Sequence, residues 1–413
     1  MNKKTMLGSV AVLAMAGIAF AAAGGVGNGG GNGWLVQLPG GGGDGGGNGN
    51  GGAAQAAPGE DALVPGQTIA GSYICVFRPG AVGRGAAQSE ANRSAQAGGG
   101  SLRHVYSVAL QGFAVNASAQ GIERMRAHNP NIAFCEQDQV AGIVLPVEIA
   151  ARPGGGGGGA PAQTTPVGIT RVGGGVAGAT GTAWVIDTGI DLDHPDLNVD
   201  VARSRNFVSR ETSPEDLNGH GTHVAGTIAA RNNSIGVIGV APDARVAAVR
   251  VLNRRGSGSY ADIIAGVDYV AANGQAGDVA NMSLGGGASA ALDTAVINAA
   301  AGGIVFALAA GNESTDANTK SPARANGPNV YTVSAIDRND VWASFSNFNN
   351  PPIDYAEPGV SILSTWLNGG YNTISGTSMA TPHLAGLFLL GPVRNGGTAI
   401  NDPDGRPDII GVR

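Results

Sequence analysis

Short stretches of mixed apolar and polar residues occupy the chain between Ile69 and Val144, and longer, unbroken apolar runs follow Gly159. In the first region Ser72-Tyr73-Ile74-Cys75-Val76-Phe77, Gly112-Phe113-Ala114-Val115-Asn116 and Ile132-Ala133-Phe134-Cys135-Glu136 have strand composition. Gln120 to His128 carries amphipathic helical spacing, and Ala86 to Ala97 is weakly helical. With one more strand near Leu102 to Ser107, the order becomes β-α-β-β-α-β, that of a small ferredoxin-like α+β unit. A unit of about 75 residues is only marginally stable alone.

In the second region Ala183-Trp184-Val185-Ile186, Val246 to Leu252, Val279 to Leu284, Ile304 to Ala310 and Val330 to Ala335 show no polar alternation. Helical stretches such as Ala261 to Ala272 and Ala290 to Ala301 separate them. Apolar strands alternating with helices predict an α/β domain whose parallel sheet is covered on both faces. Ligands bind outside the carboxyl ends of such strands, so the residues that follow each strand are the candidates for chemistry.

The N-terminus reads Lys3-Lys4, an apolar run from Met6 to Phe20, and the small-x-small site Ala19-Phe20-Ala21. This is the pattern of a secretory signal peptide, and the run is shorter than the roughly 20 residues a membrane span needs. Export is expected, with no membrane anchor elsewhere. Much of the excess of glycine, 71 among 413 residues, lies in two tracts, Gly24 to Gly52 and Gly154 to Gly159, neither of which can bury a core. Net charge is −6, and no Lys/Arg cluster interleaves with aromatics, which argues against nucleic acid as a partner. The two cysteines, Cys75 and Cys135, are open to either a disulfide or two buried thiols. Nothing after Cys135 offers a thiol nucleophile.

Asp187-Thr188-Gly189 ends the first apolar strand, a position where aspartate ordinarily serves a turn or cap. In Asn218-Gly219-His220-Gly221-Thr222-His223 a helix is predicted to start at or near His220, with His220 at an exposed mouth and His223 one turn further in. Reading the two histidines as metal ligands fails for want of a third ligand at a familiar spacing and of the glutamate that accompanies such pairs. The Ile304 to Ala310 run delivers Gly311-Asn312. Gly376-Thr377-Ser378-Met379-Ala380-Thr381-Pro382-His383 sets a serine at a glycine turn ahead of the apolar run Leu384 to Leu390. Alone, Ser378 is a helix cap. With a base, a carboxylate and an oxyanion donor it becomes a nucleophile at a helix N-terminus, where developing negative charge is favoured.

The motifs VIDTGID, NGHGTHVAG and GTSMATPH, in the order Asp187, His220, Ser378, with AAGN carrying Asn312, resemble those of the subtilisin-like serine proteases, the subtilases. The resemblance runs from about Ala162 to Leu390. An α/β-hydrolase would need glycine where Ala380 stands and a histidine after the serine and acid. The resemblance implies a three-layer α/β/α fold with a mostly parallel sheet. It implies Ser378 as nucleophile, His220 as general base, Asp187 as the residue orienting the imidazole, and Asn312 with the Ser378 N–H as oxyanion donors. Because His220 must be neutral to act, activity is expected to fall below about neutral pH.

By the same resemblance Ser283-Leu284-Gly285-Gly286 and Ala309-Ala310-Gly311 are the walls of the S1 cleft, Gly256-Ser257-Gly258 is the outer substrate-binding strand, and Tyr260, Ile263 and Leu284 line S4. On pattern alone Ile263 and Leu284 could equally be core. Glu313 stands where an acid at the S1 rim would tolerate basic P1 residues. A structural Ca²⁺ is implied at the side chains of Gln163, Asp196 and Asn233 with the carbonyls of Arg231, Ile235 and Val237, an all-oxygen set. An Asn-rich turn without an ion is the alternative. Asp191 and Asp193 are expected to be solvated.

The implied organisation is a signal peptide (1–21), a glycine-rich spacer (22–68), a propeptide that inhibits the cleft until removed (69–145), a glycine-rich processing linker (146–161) and a catalytic domain (162–413). The expected product is a secreted monomer acting on proteins and peptides. Two features depart from the family pattern: the chain ends soon after Ser378, with no helical pattern in Pro403 to Arg413, and Glu357 stands where alanine is common. A non-catalytic subtilase-like binding protein, and an inhibitor or chaperone function of the N-terminal unit, are the competing readings.

Overall fold

Alternate residues of the central strands face two different helical layers. The computed structural model describes residues 64–143, 161–209 and 211–413. The signal-peptide reading, both glycine tracts and most of the linker lie outside these residues.

The first unit contains β1 (Thr68–Phe77), α1 (Ala87–Gly98), β2 (Ser101–Tyr106), β3 (Gly112–Asn116), α2 (Ala119–His128) and β4 (Ile132–Gly142), the β-α-β-β-α-β order expected. Its sheet runs β2-β3-β1-β4, all antiparallel. The fold starts earlier than Ile69, since Gly66 already donates to Val140 at 2.7 Å. Cys75 and Cys135 are directly opposite in the β1–β4 ladder and form a disulfide. That register resolves the choice sequence left open, because facing positions of an antiparallel pair bring side chains within bonding reach.

The second unit contains α3 (Val167–Arg171), β5 (Thr182–Asp187), β6 (Asn198–Val199), β7 (Arg205–Asn206), α4 (His220–Ala229), β8 (Arg245–Arg250), β9 (Ser257–Ser259) and α5 (Tyr260–Asn273). There follow β10 (Val279–Met282), β11 (Gly286–Gly287), α6 (Ala290–Ala300), β12 (Val305–Ala309), β13 (Lys320–Ser321), β14 (Val330–Ile336) and β15 (Ile353–Pro358). The chain closes with β16 (Ile362–Trp366), β17 (Gly370–Ile374), α7 (Thr377–Leu390), β18 (Arg394–Thr398) and β19 (Ile409–Val412). The large sheet is ordered β18-β19-β15-β14-β12-β10-β5-β8-β6 with β7 also on β8, and only the β18–β19 pair is antiparallel. This is the subtilisin-like α/β/α arrangement.

On β5, Trp184 and Ile186 pack into one core with Ile263, Ile264, Val267 and Val270 of α5 and Leu292 and Val296 of α6. Their neighbours Ala183 and Val185 enter the other core with Val224, Ala225 and Ile228 of α4 and Met379, Ala385 and Leu389 of α7. A strand apolar on both faces is therefore what burial between two layers demands. Ile263 is fully buried in the core that also takes in Ala141 and Ile143 of the first unit.

One expectation needs correction: Asp191 is buried rather than solvated, and its Oδ2 accepts the Gly369 N–H at 2.9 Å. The segment after Pro403, without helical pattern, forms β19, which adds to the edge of the sheet alongside β15 with Tyr355 facing Ile409. Glu357, at the position where alanine is common in the family pattern, is fully buried against Gly411, and burial pushes its carboxyl well above the ordinary range.

Candidate active site

β5 ends at Asp187, which is inaccessible to solvent. Its carboxylate sits against His220 at the start of α4, with Nδ1 2.8 Å from Oδ1 and 3.0 Å from Oδ2. The Thr188 N–H donates to Asp187 Oδ1 at 2.7 Å, so the acid is held by its own turn. A histidine whose Nδ1 is bonded to a carboxylate presents Nε2 as the proton acceptor. His220 is not at an exposed mouth as expected; it is 3% accessible.

The turn before His220 is organised by a residue that sequence reading passed over. Asp216 Oδ1 accepts the N–H groups of Asn218 and Gly219, each at 2.9 Å, and Oδ2 accepts the N–H and hydroxyl of Thr222 at 3.0 and 2.7 Å. It stands in for the side-chain cap that α4 lacks, since Gly219 occupies the N-cap with φ 105°. The signal was present as an Asp two residues before Asn-Gly, the chemistry of an Asx turn. His223 is fully buried, bonded through Nε2 to the Ile362 carbonyl at 3.0 Å, and burial pushes it down to about 3. It is a neutral structural group.

Ser378 lies in the first turn of α7, and Pro382 stands four residues on. Proline has no N–H, so the Ser378 carbonyl loses its helical donor. Ser283 supplies the replacement: its hydroxyl donates to that carbonyl at 2.9 Å and is itself bonded by Asn281 Nδ2 at 2.9 Å. Ser283 is thus a strut behind the cleft wall. The Ser378 hydroxyl donates to the Ser283 carbonyl at 3.2 Å, so reaching His220 takes a rotation about its Cα–Cβ bond. Asn312 leaves β12 toward the same point, and its Oδ1 accepts both the N–H and the hydroxyl of Thr377.

Leu284, Gly285, Gly286, Ala309, Ala310, Gly311, Asn312, Glu313, Lys320, Thr377 and Ser378 line one pocket. Next to it β4 of the first unit lies antiparallel to β9: Ala141 faces Gly258 and Gly142 faces Ser257. Gly142 exchanges two hydrogen bonds of 3.0 Å with Gly285, and Ile143 donates to the Gly256 carbonyl at 2.9 Å. A segment of the chain's own N-terminal unit therefore runs as an added strand between the two predicted substrate-binding strands. With this strand in place Tyr260 is inaccessible, and its hydroxyl bonds to the Gly287 and Ser321 carbonyls.

Five of the predicted calcium ligands, Gln163, Asp196, Arg231, Asn233 and Ile235, come together in and against the loop after α4. Gln163 Nε2 donates to the Arg231 carbonyl at 2.8 Å and Asn233 Oδ1 at 3.2 Å, with the Ile235 carbonyl at 3.5 Å. Asp196 is buried beside them and bonds Asn233 Nδ2 at 2.8 Å. Three oxygens converging on one amide fit a cation once that amide turns over to present Oε1. Among the described residues no group of three His, Cys, Asp or Glu side chains is arranged for a metal, and this loop relies instead on carbonyls and amides.

Residues 184–391 match the model of the subtilase family of peptidases. The chain is 42% identical over 291 residues to subtilisin E of Bacillus subtilis, covering 67% of this chain and 70% of that protein. It is 38% identical over 338 residues to proteinase R of Parengyodontium album, covering 78% and 79%. Alkaline serine exoprotease A of Vibrio alginolyticus is 39% identical over 301 residues, 70% of this chain, and the match spans 53% of that relative's length. A solved cold-adapted subtilisin-like serine proteinase is 42% identical, with a TM-score of 0.47 over 56% of this chain and 88% of that one. With half the chain matching the family model and relatives about 40% identical over two thirds or more of both chains, the protein belongs to the subtilase family.

Proposed function

We propose that this chain is an exported, self-processing serine endopeptidase. The observations that carry the reading are the buried Asp187–His220 pair and a helix-start serine that lines one pocket with Asn312, next to an extended strand laid between the predicted substrate-binding strands. Ser378 attacks the scissile carbonyl, His220 Nε2 takes the hydroxyl proton and returns it to the leaving amine, and Asp187 stabilises the imidazolium between those steps. Asn312 Nδ2 and the Ser378 N–H donate to the oxyanion, and loss of one such donor lowers turnover by about a hundred- to a thousandfold.

The unit from Gly66 to Ile143 is the propeptide in this reading. Its β2–β3 turn is bound by Asp268 of α5, whose Oδ1 accepts the Val108 and Ala109 N–H groups at 2.8 Å. Glu136 caps α6 by accepting from the Ser289 hydroxyl and the Ala290 N–H. Anions at helix N-termini are favoured, so the docking is selective for this unit. Cleavage is proposed between Ile143 and Ala162, after which β4 is a product strand lying in the cleft as an inhibitor.

A Ca²⁺ is proposed at Gln163, Asp196 and Asn233 with the carbonyls of Arg231, Ile235 and Val237, where it would tie the new N-terminus to the loop after α4. Export to the extracellular medium rests on the Lys3 to Ala21 pattern, and no helix among the described residues is long and apolar enough to cross a membrane. The test is hydrolysis of casein by the purified chain together with covalent labelling by an organophosphonate. Label on Ser378 with loss of hydrolysis is expected. Hydrolysis that survives full labelling contradicts the assignment.

A further inference from the structure

The loop before β19 carries a group of oxygens that the catalytic cleft does not use. It reads Asp402-Pro403-Asp404-Gly405-Arg406-Pro407-Asp408 and leads directly into the last strand. The chain turns at Gly405, where φ is 76°, a conformation that glycine adopts without strain. Asp402 folds the loop, its Oδ1 accepting the Asp404 N–H at 3.3 Å and its Oδ2 the Asp408 N–H at 3.0 Å. Asn350, from the segment before β15, closes it. Its Nδ2 donates to the Arg406 carbonyl at 3.0 Å, and its own carbonyl accepts Arg406 Nη1 at 2.9 Å.

These bonds leave three oxygens over. Asp404 Oδ2, Asp408 Oδ1 and Asn350 Oδ1 are each shielded from solvent and meet no hydrogen-bond donor of the protein. The second oxygen of each acid is already taken: Asp404 Oδ1 accepts the Arg406 N–H at 2.7 Å, and Asp408 Oδ2 accepts the Ser334 hydroxyl. Asp408 is 2% accessible, and its carboxyl feels Asn350, Asp402 and Asp404 as neighbours. A buried carboxylate oxygen without a partner is costly, and here two acids and an amide oxygen share the same need. One water could donate to two of the three oxygens at most, and it brings no charge to set against the carboxylates.

We propose that Asn350, Asp404 and Asp408 form a second cation site, one that takes Ca²⁺ and fastens the final strand to the sheet. Every donor is an oxygen, which selects a hard cation, and two carboxylates with one amide suit calcium. Gly405, Arg406 and Pro407 are exposed, so water can complete the six to eight oxygens that such an ion takes. The amide of Asn350 needs no turning over, because its Nδ2 is already held by the Arg406 carbonyl. β19 pairs with β15 and β18, and Arg413 at its end donates to the Val172 carbonyl at 3.0 Å. An ion at the root of β19 therefore secures the whole edge. In the calcium-free protein burial pushes the Asp408 carboxyl up to about 7, and a proton there answers part of the same need. The site is independent of the endopeptidase reading.

The experiment titrates CaCl₂ into the decalcified chain from Ala22, carrying Ser378→Ala to prevent self-digestion and Asp196→Asn to disable the site at Gln163. Calorimetry is expected to show one ion bound. Adding Asp404→Asn is expected to lower its affinity at least tenfold, and adding Asn350→Asp, which supplies a third carboxylate, to raise it. Calcium is expected to slow hydrogen exchange of the β19 amides in the parent and to lose that effect with Asp404→Asn. Equal melting of Asp404→Asn and its parent in EDTA makes the lost affinity the loss of a ligand, and the Asn350→Asp comparison carries the test if Asp404→Asn melts early. No calcium bound by the parent at concentrations up to about 10 mM overturns the proposal, as do affinities that agree within about twofold across all three proteins.

Discussion

Thr377 donates to Asn312 Oδ1 twice, from its backbone N–H and from its hydroxyl, each at 2.8 Å. The same hydroxyl accepts the Gly311 N–H at 3.1 Å. The amide oxygen of Asn312 is thereby pinned, which turns Nδ2 the other way, to within 3.3 Å of where a Cβ on Gly376 would lie. The residue next to the nucleophile therefore aims the oxyanion donor. Thr377→Val removes the hydroxyl and is expected to lower kcat roughly tenfold with KM little changed, because the donor matters only when charge develops. Thr377→Ser is expected to restore most of it. A rise in KM alone, with kcat intact, would show that Thr377 serves ground-state binding instead.

Asp216 holds five donors, four in the turn that carries His220 and the Thr188 hydroxyl beside Asp187. Asp216→Ala leaves those donors without their acceptor, at a cost of about 1–3 kcal/mol for each group that stays buried and unpaired. Calorimetry on an uncleaved Ser378→Ala background is expected to show a lower melting temperature, and kcat/KM of the cleavable form should fall by more than tenfold. Unchanged melting and kinetics would show that the turn holds itself.

The Cys75–Cys135 bridge closes a loop of 60 residues wholly inside the N-terminal unit. Constraining a loop of that size is worth about 2–4 kcal/mol, a large share for so small a unit. Cys75→Ser with Cys135→Ser is expected to reduce the yield of mature enzyme several-fold while leaving its specific activity unchanged. Equal yields, measured by active-site titration, would make the bridge dispensable.

Asp408 is buried, with its Oδ2 bonded to the Ser334 hydroxyl, and burial pushes its carboxyl up to about 7. An unfolded chain titrates this group near 4, so between about pH 4 and 7 the folded protein holds a proton the unfolded chain has released. Stability therefore declines across that window as pH rises and levels off above it. Asp408→Asn removes this contribution, so the variant should gain on its parent by a few kcal/mol in going from pH 4 to pH 8. A constant difference in urea midpoint across that range would contradict the assignment.

The fold and the candidate triad were legible in sequence because both rest on local signals. Val185 and Ile186 sit in an unbroken apolar run that only a doubly covered strand needs, and Asp187, Asn312 and Ser378 follow directly from strand or helix ends. What stayed hidden depends on partners far along the chain. Asn350 gains meaning only beside Asp404 and Asp408, Ser283 only because Pro382 orphans the Ser378 carbonyl, and β19 only because the edge of β15 is open to it.

The most direct measurement is the mass of the chain expressed from Ala22 beside its Ser378→Ala counterpart. The unsubstituted chain is expected to lose its segment up to between Ile143 and Ala162, while the substituted chain stays whole. Identical cleavage of both chains, or none in either together with no hydrolysis of casein in calcium, would contradict a self-processing protease with Ser378 as its nucleophile.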